Sequence, residues 1–229
     1  WTRSILDYYD ELGKPKITAI VITHGHGDHT GGLDRIHEVM QAPVRCHPKL
    51  VKHLQKLLDD EDAVVALKSR ERIVTGGGVG LRALFTPGHE VDHVCYYLRE
   101  DRVMFTGDTV LGASSTSVGD LAAYMKSLEL LTKFKHDTIC PAHGPVVPAP
   151  RGANLVRWQY EHRMGRERQV VAALEKGISE VSKITSDMYP KNLKKGLRPS
   201  AERNVNTHLR KLIKEESVEE TPARFTLKN

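Results

Sequence analysis

The chain is predicted to fold as an α/β layered domain followed by a small helical module, and three observations predict it. Short apolar runs of strand length alternate with segments of helical period over residues 1–150. Glycine and proline mark the joints between these segments. Beyond Pro145, Pro148 and Pro150 the texture changes to helices alone, closing with a possible strand pair at Val218–Leu227.

Taken in order, residues 2–12 place Ile5, Leu6, Tyr9 and Leu12 on one helical face, and Gly13-Lys14-Pro15 stops the helix. Ile17–Thr23 reads as a strand, His24–Thr30 as a Gly-punctuated loop and Gly32–Gln41 as a helix. Val44–His47 is a short strand and Pro48–Leu58 a helix, and the charged residues 59–71 read as a surface connection. Ile73–Val74 and Leu81–Phe85 are strands joined by Gly76-Gly77-Gly78, which lacks the Lys-Ser/Thr ending of a phosphate loop and reads as a hairpin turn. Val91–Leu98 and Arg102–Phe105 are strands, Leu121–Phe134 a helix and Thr138–Cys140 a strand. Helices follow at 153–176, 180–188 and 200–215. With the terminal strand pair they suggest a winged-helix-like module over 151–229, after a catalytic domain over 1–150.

The chain has 229 residues, 39% of them hydrophobic and 28% charged, an ordinary composition for a globular fold with a real core. No apolar run approaches the roughly 20 residues of a membrane span, so no membrane partner is expected. The net charge of +5 is uneven. Residues 1–150 carry 17 Lys/Arg and 19 Asp/Glu, and residues 151–229 carry 17 and 10. The excess, including Lys191, Lys194, Lys195, Arg198, Arg203 and Arg210, fits either an anionic partner or a solvated helical surface. Three cysteines, Cys46, Cys95 and Cys140, form no CxxC pair, which fits a reducing compartment rather than a disulfide framework.

The chemistry is concentrated in Thr23-His24-Gly25-His26-Gly27-Asp28-His29-Thr30-Gly31-Gly32. Imidazole nitrogen and carboxylate oxygen suit a borderline cation such as Zn²⁺, and the glycines let the backbone turn tightly. His24 and His26 alternate in an extended stretch and can face one ion. Asp28 and His29 follow the turn and can face a second. One segment cannot fill two coordination shells, and three later motifs add ligands: Thr86-Pro87-Gly88-His89, Phe105-Thr106-Gly107-Asp108 and Pro141-Ala142-His143-Gly144. The expected sets are His24, His26 and His89 for the first metal and Asp28, His29 and His143 for the second, with Asp108 bridging. His24, His89, Asp108 and His143 each follow a predicted strand, which is a rigid support. The two divalent ions are expected to be Zn²⁺, with Mn²⁺ or Fe²⁺ as alternatives.

This order of motifs resembles the metallo-β-lactamase superfamily over residues 17–147, which implies a four-layer αββα sandwich. Asp108 stands where the antibiotic-destroying lactamases have cysteine, so the likeness is to the branch of glyoxalase II and the nucleases. Asp92-His93, Val110-Leu111-Gly112, Asp120-Leu121, Tyr124-Met125, Ser127-Leu128, Glu161-His162-Arg163, Arg166-Glu167-Arg168-Gln169 and His208-Leu209 narrow the resemblance to the β-lactamase-like protein 2 family. That likeness implies an endoribonuclease acting on single-stranded RNA in mitochondria or cytoplasm, or a thioesterase on acyl-carrier-protein, coenzyme A or glutathione thioesters. Two departures stand out. Thr116-Ser117-Val118-Gly119-Asp120 replaces the family's Thr-Val-Phe-Glu-Asp, and the strand hairpin that opens the family fold is expected to be missing before Trp1.

Metal-assisted hydrolysis by a water activated between the two ions is the expected mechanism. Asp28, Asp108 and His93 form the expected catalytic set, His93 either as leaving-group donor or in a structural hydrogen bond. Ser114, Ser115 and Thr116 are expected substrate contacts. His37, His47, His53, His136, His162 and His208 lack ligand spacing and read as surface or packing residues. No Gly-x-Ser-x-Gly elbow supports a serine hydrolase. A non-catalytic nucleic-acid-binding protein is the remaining alternative.

Overall fold

The computed structural model describes residues 1–221 and 224–227, with the side chains of Lys195, Arg224 and Leu227 left aside. Helix α1 (Thr2–Glu11) leads to strand β1 (Ile20–Val21), a short helix α2 (Gly27–Thr30) and helix α3 (Leu33–Met40). Strand β2 (Val44–Cys46), a 3-10 turn at Pro48–Leu50, helix α4 (Val51–Leu58) and strand β3 (Val64–Ala66) follow. Strands β4 (Arg72–Val74), β5 (Gly80–Phe85), β6 (Val94–Leu98) and β7 (Val103–Gly107) precede helix α5 (Leu121–Thr132) and strand β8 (Thr138–Pro141). The chain continues as helices α6 (Arg151–Glu175), α7 (Val181–Met188) and α8 (Arg198–Lys214), then strands β9 (Val218–Thr221) and β10 (Arg224–Leu227).

Two sheets stack. One has the order β1-β2-β3, all parallel, and the other has the order β4-β5-β6-β7-β8, antiparallel except for the parallel β7–β8 pair. The alternation of β6 shows how the larger sheet is covered on both faces. Val94 and Tyr96 pack with Leu67, Ile73 and Ala83 between the sheets, while Cys95 and Tyr97 pack with Leu121, Tyr124 and Leu128 of α5 and with Leu155 and Val156 of α6. The smaller sheet is covered by α3 through Leu33, by the 3-10 turn through Leu50 and by α4 through Leu54. The layers therefore run helix, sheet, sheet, helix, as the resemblance implies.

Helix α6 belongs to two cores. Leu155 and Val156 pack with α5, whereas Val170, Ala173 and Leu174 pack with Ile184 of α7, Val205 and Leu209 of α8 and Val218 of β9. The β9–β10 pair closes this second core as an antiparallel hairpin.

Several sequence expectations change. The strand expected at Ile17–Thr23 shrinks to Ile20–Val21, because only these residues pair with β2. The connection expected at 59–71 contains β3. Its Val64 is buried against Val44, and the acidic run Asp59-Asp60-Glu61-Asp62 masks the apolar residues after it. The strand expected from Val91 begins at Val94, and the loop at His24–Thr30 ends in α2. The Gly76–Gly78 segment does form the β4–β5 turn, with Thr75 and Val79 paired across it.

Two bonds tie β6 to the chain just beyond β1, one of them from the Val94 amide to the Thr23 carbonyl at 2.7 Å. The buried Tyr96 hydroxyl donates to the Ile22 carbonyl at 2.7 Å. Replacing Tyr96 by Phe strands that carbonyl and is expected to lower the unfolding free energy by about 1–2 kcal/mol. The urea midpoint measures this, and an unchanged midpoint contradicts it.

Candidate metal centre

The loops leaving β1, β5, β7 and β8 converge at one end of the sandwich. Helix α5 fixes two of them: Ser127 Oγ donates to the Pro87 carbonyl at 2.7 Å and Tyr124 Oη to the Thr109 carbonyl at 2.6 Å. Gly88 has φ +138°, and a Cβ there would fall 2.4 Å from the Tyr124 backbone, so the turn presenting His89 needs glycine. Gly107, with φ +47°, lies so close to His93 that a Cβ would sit 2.7 Å from its Nε2.

The seven expected ligands meet as two neighbouring groups, His24, His26, His89 and Asp108 in one and Asp28, His29 and His143 in the other. In the first, His26 Nδ1 lies 2.9 Å from His24 Nε2 and 3.2 Å from His89 Nε2. In the second, Asp28 Oδ2 lies 3.0 Å from His143 Nε2 and 3.7 Å from His29 Nε2. Asp108 stands between them: Oδ2 is 3.6 Å from His89 Nε2, while Oδ1 is 3.6 Å from His29 Nε2 and 3.5 Å from His143 Nε2.

The far sides of His24, His26, His29 and His89 are held by partners that fix which nitrogen keeps its proton. His26 Nε2 donates to Glu90 Oε1 at 3.1 Å, and His89 Nδ1 donates to the Ser117 carbonyl at 2.8 Å, with Thr116 Oγ1 at 3.0 Å. Thr23 Oγ1 sits 3.2 Å from Nδ1 of both His24 and His29. The inner nitrogens are therefore lone pairs pointing at one another. His29 Nε2 and Asp108 Oδ1 are buried with no hydrogen-bond partner among the described residues. Converging lone pairs and orphaned acceptors are unfavourable as they stand, and divalent cations satisfy both. The donor set fits metal ions.

Burial favours the neutral form of His24 and His29. Desolvation, reinforced by His29, His89 and His26, pushes His24 down to about 3. Burial also lowers His29, against the opposing pull of Asp108 and Asp28. For Asp28 desolvation acts upward, but its backbone hydrogen bond and the neighbouring His29 and His143 outweigh it and hold the carboxyl below its usual range.

Two expectations change here. His93 is fully buried, with Nε2 accepting from the Asp108 amide at 3.0 Å and Nδ1 facing Thr86 Oγ1 at 2.9 Å. Both nitrogens are engaged, so the expected role as a donor to substrate does not fit, and the structural hydrogen bond does. Thr116 is buried behind His89 rather than open to substrate, whereas Ser114 and Ser115 are exposed in the loop beyond Gly112. The remaining histidines lie apart from both groups. His47 caps the turn at Lys49, His136 and His208 are buried, and His162 stacks on Trp158. Sequence reasoning missed Glu90, although it directly follows His89, and Thr23, which directly precedes His24. It also missed Arg163, a buried cation on α6 whose Nη2 donates to the Thr116 carbonyl at 3.1 Å.

A pH dependence follows. A histidine with a depressed folded pKa contributes stability in full above its unfolded value of 6.5, and that contribution is lost as pH falls toward about 3. For His24 the loss is about 1.4 kcal/mol per pH unit below that value. The melting temperature of chelator-treated protein is expected to fall steadily from pH 7 to pH 5, and a flat profile contradicts neutral burial of these rings.

Residues 2–143 match the family described as Metallo-beta-lactamase superfamily, and residues 181–224 match the Beta-lactamase associated winged helix domain. Among relatives, the Beta-lactamase-like protein 2 homolog of Caenorhabditis elegans is 34% identical over 209 residues, covering 89% of this chain and 67% of that protein. An Atrochrysone carboxyl ACP thioesterase of Aspergillus chevalieri is 34% identical over 201 residues, covering 80% of this chain and 60% of that protein. The chain spans between about half and two thirds of the length of the curated relatives it matches. A metallo-beta-lactamase family protein from Thermus thermophilus shares the fold with a TM-score of 0.71 at 21% identity, over 99% of this chain and 86% of that one. The chain belongs to the metallo-β-lactamase superfamily.

Proposed function

We propose that the chain is a metal-dependent hydrolase with two ions, most naturally Zn²⁺, and that it cleaves single-stranded RNA. The observation that carries the hydrolase reading is the position of Asp108, one oxygen toward each group of donors. When bound, divalent cations supply Lewis acidity that brings the pKa of water to about 7 and neutralises a developing oxyanion. His24, His26 and His89 would hold one ion, and Asp28, His29 and His143 the other. Asp28, its side chain 58% exposed, stays ionised at neutral pH and can accept a hydrogen bond from an attacking water. His93 acts as a positioning residue that holds the Asp108 backbone.

RNA is favoured as substrate by the likeness to the β-lactamase-like protein 2 homolog and by the basic residues of the last third of the chain. The relatives named as acyl-carrier-protein thioesterases, of similar identity, support a second reading in which the same centre hydrolyses a thioester.

A metal-replete activity screen separates the two. Labelled single-stranded RNA is expected to be cleaved, with loss of activity on chelation and a drop of about 100-fold or more in Asp108→Ala, since a ligand should matter at least as much as its outer partners. Turnover of thioesters with no RNA cleavage would replace the first reading by the second.

A further inference from the structure

Beside the metal centre, on the outer side of the loop that supports His89, lies a groove of about 720 Å³ between residues 115–121 and α8. Thr116 and Ser117, which hold His89 Nδ1, form part of its wall. Its opposite wall is one face of α8, where Arg203, Thr207, Arg210 and Lys214 recur at helical spacing. The basic residues on this face are not equivalent. Lys214 is paired with Asp120 at 3.0 Å across the groove, and Lys211 with Glu167 and Glu215, each at 2.7 Å. Arg203 and Arg210 are exposed and make no ion pair among the described residues. Arg203 makes one hydrogen bond, to Ser200 Oγ at 2.8 Å. They are two helical turns apart, about 10 Å along the axis.

We propose that this groove is an exosite for the sugar-phosphate backbone of a single-stranded nucleic acid, gripped by Arg203 and Arg210. The inference rests on the ribonuclease reading and names where the strand flanking the cleaved bond lies. Three features favour this ligand. The two guanidiniums, neither of them in an ion pair among the described residues, suit two phosphates of one strand. Hydroxyl and amide side chains, among them Ser115, Ser117, Asn204 and Asn206, line much of the rest and can hydrogen-bond a sugar-phosphate backbone. The basic face of α8 is also turned toward the protein's own loop, whereas helix-turn-helix readers of duplex DNA keep the second helix free for a groove about 12 Å wide. Helix α8 is moreover tied to the metal centre. Arg163 Nη1 donates to Asn204 Oδ1 at 3.4 Å, while its Nη2 donates to the Thr116 carbonyl.

The test is fluorescence anisotropy of a labelled single-stranded RNA oligonucleotide on full-length Asp108→Ala protein, with and without Arg203→Ala/Arg210→Ala, over a salt series. Circular dichroism checks the fold, and cleavage by the wild-type protein is scored separately so that failure of the ribonuclease reading is distinguishable. The double variant is expected to weaken binding about tenfold or more. It should also reduce the slope of log affinity against log salt by about 1.4, two phosphates at about 0.7 each. Arg203→Lys/Arg210→Lys should keep the slope. An unchanged affinity and slope in the double alanine variant overturns the proposal. So does a variant that binds RNA normally but loses binding to an acidic acyl carrier protein.

Discussion

The carboxylate of Asp108 is the point at which the two halves of the metal centre meet. One oxygen faces His89, the other faces His29 and His143, and the second of these oxygens is buried with no hydrogen-bond partner among the described residues. An arrangement of this kind is costly in an empty site and favourable around cations. Much of the surrounding structure serves to hold that carboxylate still. Gly107 permits the left-handed turn at the end of β7, His93 accepts from the Asp108 amide, and Thr86 fixes His93 from behind. Thr86 in turn donates to Cys95, whose buried thiol is pushed up to about 11 by desolvation and is a packing group rather than a nucleophile.

The sandwich supplies rigidity to four loops that are distant in sequence. Two sheets share an interior layer around Tyr96, and α5 closes the outer face of the larger sheet while its side chains reach the turns that carry His89 and Asp108. Helix α6 runs from this core into the second one, so the winged-helix unit is anchored by a continuous helix and by Arg163 rather than by a loose linker. The support of His89 and the groove beside α8 consequently share the same short loop.

The candidate ligands are legible in the sequence because each motif is local: a histidine pair two residues apart, a Pro-Gly-His turn, a Gly-Asp strand end and an Ala-His-Gly turn. The layered fold follows from alternating strand and helix periods, and the four-layer form from resemblance. What sequence reasoning loses is non-local or masked. Strand β3 hides behind four acidic residues, and its pairing with β2 depends on a parallel crossover that no short pattern encodes. Thr116 reads as an open hydroxyl because nothing in the sequence reveals that it lies behind His89. Arg163 enters the sequence reading only as part of a family motif, and its burial follows from the packing of α6 against α5 and α8.

The central claim is that these seven side chains form two adjacent cation sites joined by Asp108. Native mass spectrometry of the zinc-loaded protein, with the bound ions counted per chain, tests it most directly. Two ions per chain are expected, matching the two donor groups. A chain that is folded, has all seven side chains intact and binds one ion or none under zinc saturation would contradict it.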